Sequence, residues 1–176
     1  GSAMMSATMT TIDSQSLLAD VTQALGDGPA SDGALADVLA RVLDAFGGVA
    51  GTIHRFNPAT DLLELAAHRG IPEAVRERAA RVPIGKGMAG IAAERRQAVQ
   101  VCNLQTDDSG VARPAARETP VEGAIAVPML VEDELRGMLG VAKATAYEFS
   151  PAEVDLLLRL GEIIGSSIPA TGGDQP

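Results

Sequence analysis

Leu17, Leu18, Val21 and Leu25 recur at three- and four-residue spacing and stop at Gly26-Asp27-Gly28-Pro29, which predicts a short amphipathic helix with a glycine end. Such a stripe packs within the chain or against a twin. Leu35, Val38, Leu39, Val42, Leu43 and Phe46 form a second stripe, opened by Ser31 or Asp32 as cap and closed by Gly47-Gly48. The period then changes. Val49 to Phe56 and Leu62 to His68 flank the turn-rich Asn57-Pro58-Ala59-Thr60-Asp61, the arrangement of an antiparallel hairpin. Pro72 introduces a helix over Glu73 to Arg81, and Val82-Pro83-Ile84 leads through Gly85-Lys86-Gly87 into another that runs to Arg96. Ala98 to Val101 is a short strand. Asn103 to Glu122, polar and rich in Ala, Pro and Asp, shows no period and has the length of a lid. Gly123 to Val131 and Leu135 to Ala144, joined by Glu132-Asp133-Glu134, predict a second hairpin, apolar on both faces and therefore central. Ser150-Pro151-Ala152-Glu153 is a capping box with proline at the first helical position, and Val154, Leu157, Leu158, Leu160, Ile163, Ile164 and Ile168 carry the last helix. Strands joined in tight sequential pairs, with helices around them, make an α+β fold on an antiparallel sheet rather than a doubly wound parallel one.

Parity within the second hairpin adds a functional signal. Ala124, Ala126, Gly140 and Ala142 alternate onto one face, while Ile125, Val127, Leu139 and Val141 occupy the other. A small-residue face under helices either lets them pack close or leaves room for a guest.

Composition narrows the class. A chain of 176 residues, 46% hydrophobic and 2% aromatic, supports one domain with an aliphatic core, placed at residues 15–168. Residues 1–14, beginning Gly1-Ser2-Ala3 ahead of two methionines, read as an expression scar and disordered start, and 169–176 as a disordered tail. A net charge of -9 repels a phosphate backbone, so nucleic acid is not an expected partner. The single cysteine, Cys102, forms no internal disulfide, and no apolar run reaches the roughly 18 residues that span a bilayer. A reducing cytoplasm, with no membrane partner, fits these features.

Gly85, Gly87 and Gly90 form a G-x-G-x-x-G, a spacing that can cradle a pyrophosphate at a helix N-terminus. The dinucleotide fingerprint also needs a parallel strand–helix–strand unit and an acid about 20 residues on. Here Asp107 and Asp108 fall in a loop and the strands pair antiparallel, so the glycines read as a tight turn bringing a short helix to the sheet. Arg69, Arg76, Arg78, Arg81, Lys86, Arg95 and Arg96 against Glu73, Glu77 and Glu94 leave a local +4, and Lys86, at a helix N-terminus, is the best candidate to meet an anion. His54 and His68 fall on neighbouring strands, without a carboxylate or thiol at ligand spacing to complete a metal site. Cys102 lacks the basic neighbour or second cysteine of a redox-active thiol.

Val82-Pro83-Ile84-Gly85-Lys86-Gly87-Met88-Ala89-Gly90, then Ala98-Val99-Gln100-Val101, Ala126-Val127-Pro128-Met129, Gly137-Met138-Leu139-Gly140-Val141 and Phe149-Ser150-Pro151, taken in that order, resemble the GAF family over Ala34 to Ile168. The resemblance implies a six-stranded antiparallel sheet with helices on both faces and a ligand pocket between the sheet and the lid elements. It implies a ligand-binding set of Thr52, His54, Lys86, Met88, Ala89, Ala124, Ala126, Met138, Gly140 and Ala142; the two methionines could adapt to an apolar guest, although methionines at such positions are more often plain core. Within the family the Val82 to Gly90 segment is most similar to the free methionine-R-sulfoxide reductases. Their cysteines fall here on Ala89 and near Val99 and Arg117, and their substrate-holding acids on Ala124, Gly140 and Ala142. Nucleophile and anchors are both replaced, so no catalytic residue is assigned and no reductase activity is expected. The sequence likewise shows no cysteine–histidine pair for a bilin, no cysteine cluster for iron–sulfur chemistry and no cyclic-nucleotide signature, and no metal or cofactor is assigned.

These features predict a sensory or regulatory domain of bacterial-type signal transduction. It would bind an unidentified small molecule, pair with a twin through its terminal helices and act on a separate or missing output domain. The alternatives are a structural dimerisation module with a vestigial pocket, and a divergent redox enzyme using Cys102.

Overall fold

The computed structural model describes residues 13–106 and 121–169. Five helices and six strands occur among them. Helix α1 spans Ser14–Leu25 and α2 spans Asp32–Phe46. Strands β1, Ala50–Asn57, and β2, Leu62–Arg69, form the first hairpin. Helix α3, Glu73–Ala79, precedes β3, Arg81–Pro83; helix α4, Gly87–Arg95, precedes β4, Val99–Val101. The second hairpin is β5, Ala124–Val131, with β6, Glu134–Ala142, and α5, Pro151–Ser166, follows. The sheet order is β3-β2-β1-β6-β5-β4, with every pairing antiparallel.

Caps place the helices as the sequence implies. Ser31 accepts a bond from Ala34 N–H and is the cap of α2, and Gly47 closes that helix in the left-handed region. Ser150 and Glu153 complete the reciprocal capping box of α5. Glu153 also accepts from the Tyr147 hydroxyl at 2.8 Å. Burial, and then that carboxylate, push the phenol up to about 12.

The chain departs from the sequence reading at Arg81. The α3 helix ends at Ala79, and Arg81–Pro83 pairs with Leu62–Glu64 as the sixth strand. Pro83 disfavours helical backbone at Val82, and its missing N–H is tolerated on an edge strand. The predicted lid over Asn103 to Glu122 falls mainly on residues outside those described. At its ends, Leu104 N–H donates to Glu122 O at 2.7 Å.

The parity of the second hairpin divides the core. Ile125, Val127, Leu139 and Val141 join Leu35, Val38, Leu39, Leu157, Leu160 and Ile164 in one cluster, under α1, α2 and α5. Ala126 and Met138 lie on the other face, with Val82 and Ala92. A bulge in β2 serves the same division. Register runs Ile53↔Ala67 and then His54↔Leu65, leaving Ala66 as the extra residue. Ala67 and Leu63 have equal parity yet enter different clusters, because one inserted residue turns the strand over.

Candidate functional site

Strand β1 sends Ala50, Thr52 and His54 to the face carrying α3 and α4, where they stand opposite Ala142, Gly140 and Met138 of β6. Strand β5 adds Ala124 and Ala126, opposite Ala142 and Gly140. Four side chains of this face, Ala50, Ala124, Ala126 and Ala142, are methyl groups, and Gly140 contributes none. An added Cβ at Gly140 would come within 2.9 Å of Thr52 Oγ1. Helices packed over such small residues do not reach the sheet everywhere, and a cavity of about 230 Å³ remains.

All ten candidate residues border it. Thr52 and His54 come from β1, Lys86 from the turn before α4, and Met88 and Ala89 from the first turn of α4. Ala124 and Ala126 come from β5, and Met138, Gly140 and Ala142 from β6. The sequence reading left out Ala50, Ile71, Val75, Arg78, Ala79, Val82, Leu104 and Val121, which border it as well. A signal for part of this existed: Ile71, Val75 and Ala79 recur every fourth residue among charged neighbours, the stripe of a helix roof. Leu104 and Val121 carry no such pattern.

The glycine triplet builds one corner. Gly85 and Gly87 have φ of 90° and 66°, and Gly90 lies so close to β3 that an added Cβ would sit 2.4 Å from Pro83 O. Gly85 N–H donates to Gly90 O at 2.8 Å and Lys86 N–H to Pro83 O at 3.1 Å. Two amides that a phosphate cradle would use are therefore engaged within the turn, and no parallel strand pair exists among the described residues. The triplet seats α4 against the sheet. Lys86, exposed at the N-terminus of α4, is the cation nearest that helix end.

His54 is the polar exception in an apolar wall. It is 2% exposed, and its Nε2 lies 2.8 Å from Ala79 O at the end of α3. A carbonyl only accepts, so Nε2 carries the hydrogen, and in the neutral ring Nδ1 is left as a bare acceptor. Among the described residues Nδ1 is buried and meets no donor. Burial pushes the imidazole below its ordinary 6.5, opposed by the bond to Ala79. His68 stands opposite Thr52, two positions from His54, and is exposed, so the two rings do not form a pair.

Where the reductase resemblance implies a nucleophile and acids, the wall carries Ala89, Ala124, Gly140 and Ala142. Cys102 is exposed at the end of β4 and is not among the residues bordering the cavity.

The architecture is shared with solved structures. It superimposes on the GAF domain of a phosphoenolpyruvate-protein phosphotransferase from Coxiella burnetii with a TM-score of 0.75 and 20% identity, covering 88% of this chain and 92% of that one. Free methionine-R-sulfoxide reductase from Neisseria meningitidis in complex with its substrate gives 0.72 and 20%, over 88% and 87%. A GAF domain from A. aeolicus in an inactive state gives 0.69 and 18%, over 88% and 94%. At these identities the likeness establishes the fold alone. A comparison with curated proteins found no significant match. The family model described as GAF domain matches residues 30–168, from the residue before the α2 cap to two residues past the end of α5, and the chain belongs to the GAF domain family.

Proposed function

We propose that this domain is a small-molecule sensor whose guest occupies the cavity between the sheet and helices α3 and α4. The observation that carries the reading is the cavity of about 230 Å³ over a floor of alanine and glycine. An engineered apolar cavity of ~150 Å³ accepts benzene, so by scaling this one suits a guest of about nine non-hydrogen atoms. The roof is made of short elements, α3 and α4, whose loops connect directly to the sheet edges. A guest that packs under them stabilises one roof position over others, which is the differential contact a sensor requires. Sensing extends in this proposal to a homodimer through α1 and α5, whose Leu18, Val154, Leu158 and Ile163 remain partly exposed. The output is a further domain, in the same chain or a separate one.

Catalysis is not part of the proposal. Among the described residues the cavity wall has no thiol, and Cys102 lies elsewhere. An assay with free methionine sulfoxide and thioredoxin is expected to show no Cys102-dependent turnover; such turnover would overturn this part of the reading.

Native mass spectrometry of the purified chain, followed by denaturing extraction, tests the sensor directly. The expected result is a retained small molecule together with the subunit count. A guest at 100 times its Kd stabilises the domain by about 2.7 kcal/mol, a melting shift of roughly 5–10 °C. An empty dimer that no member of a metabolite screen stabilises would favour the structural module instead.

A further inference from the structure

We propose that the cavity selects a compact apolar monocarboxylate, with the Thr52 hydroxyl donating to a carboxylate oxygen and Lys86 supplying the opposite charge. The proposal rests on the reading that the cavity receives a guest. Thr52 stands on β1 opposite Gly140, on the same face as Ala50 and His54, and borders the cavity half-buried. Its hydroxyl has no role in the fold. Thr22 Oγ1 donates to Leu18 O at 2.8 Å, whereas Thr52 Oγ1 has no hydrogen-bond partner among the described residues. Nor is it sealed. The side-chain atom that is both enclosed and unpartnered among those residues is His54 Nδ1, so Thr52 Oγ1 lies within reach of a water-sized molecule. Gly140 keeps it uncovered, because a Cβ there would come within 2.9 Å of the oxygen. Valine has the shape of threonine and suits a strand as well, so the hydroxyl adds something that strand and packing do not require.

A hydroxyl can donate or accept, and the charges around the cavity decide between the two. The side chains of fixed charge that border it among the described residues are Arg78 of α3 and Lys86 before α4, both cationic. Lys86 is exposed and forms no ion pair among those residues. A guest that offers an N–H to Thr52 turns its positive end into this field. One that offers a carboxylate receives the hydroxyl proton and meets a favourable charge. Position limits the cost of desolvation: beside a half-buried hydroxyl and an exposed ammonium, the carboxylate keeps part of its hydration. The rest of the guest lies over the methyl groups of Ala124, Ala126 and Ala142, which offer contact and no hydrogen bond. The body is therefore apolar and the anion is its single polar requirement.

Benzoate, nitrobenzene and indole are of equal size, each with nine non-hydrogen atoms. Benzoate carries the charged acceptor, nitrobenzene is its neutral isostere, and indole, with no acceptor oxygen, reads the cavity alone. Titration calorimetry should place benzoate about tenfold or more below nitrobenzene in Kd, since a hydrogen bond to a charged group contributes about ten- to a hundredfold. Thr52→Val should remove that preference while nitrobenzene binds nearly unchanged, which also reports an intact fold. Thr52→Ser, which restores the hydroxyl, should keep the preference. Lys86→Gln should weaken benzoate by about two- to fivefold and flatten the dependence of its affinity on salt. Benzoate no tighter than nitrobenzene, a preference that survives Thr52→Val, or a benzoate affinity indifferent to Lys86→Gln overturns the proposal and leaves the cavity reading intact. Binding of none of the three removes both.

Discussion

Acidification should weaken this domain through one buried ring. His54 is 2% exposed and its imidazole is pushed below the ordinary 6.5, first by burial, with the Ala79 bond opposing. In the unfolded chain the ring titrates near its ordinary value. As pH falls through that value the unfolded state takes up a proton that the folded state refuses, so stability present at neutral pH is lost below it. Lowering the pH from about 7.5 to about 5.5 removes at most RT ln of the ratio of unfolded binding polynomials, about 1.4 kcal/mol, the limit set by a ring that takes up no proton when folded. Urea unfolding at constant m, measured at both pH values on wild type and on His54→Leu, reads this directly. The wild type should lose more than the variant over the same interval, by up to about 1.4 kcal/mol. Parallel pH dependences, or a wild type that gains stability on acidification, would refute the burial argument.

Other substitutions test separate parts of the account. Gly90→Ala places a Cβ 2.4 Å from Pro83 O, forcing α4 from the sheet, and should cost about 1–3 kcal/mol in urea unfolding; a neutral result would mean that the triplet does not seat the helix. Leu157→Ala, under the sheet in α5 and fully buried, should cost about 2–5 kcal/mol by the same assay. Ser150→Ala removes one half of the capping box of α5 and should lower stability by about 1 kcal/mol, a loss of roughly 2–4 °C in melting temperature. Ala126→Leu fills the cavity from its floor and should abolish a guest-dependent melting shift while the circular dichroism spectrum is retained.

Much of the fold was legible because its local signals agree with its packing. The six apolar residues of α2 are all buried, and the alternation in β5 and β6 separates the two faces of the sheet. The antiparallel hairpins followed from short turns. Strand β3 escaped because three residues with one proline show no period, and its identity depends on pairing with β2, a tertiary fact. The bulge at Ala66 escaped for a related reason: nothing in Leu65-Ala66-Ala67 marks which residue is extra until β1 sets the register.

The candidate site divides in the same way. Ala124, Ala126, Gly140 and Ala142 were readable as a small-residue floor, since alternation alone groups them. The roof from α3 was not assembled, because Ile71, Val75 and Ala79 meet the floor only after the chain crosses the sheet edge. His54 was named from the sequence, but what distinguishes it, one nitrogen bonded to Ala79 and the other unpartnered, depends on a contact between residues 25 positions apart.

Methyl NMR on alanine- and methionine-labelled protein tests the central claim most directly, because these two residue types mark both faces of the sheet. Met88, Ala89, Ala124, Ala126, Met138 and Ala142 border the cavity, whereas Ala34, Ala45, Ala67 and Met129 belong to the opposite core. Titrated with indole, the first group should shift and show contacts to the probe while the second stays in place. Shifts confined to the second group, or none in either at saturating indole, would contradict a guest-binding cavity beneath α3 and α4.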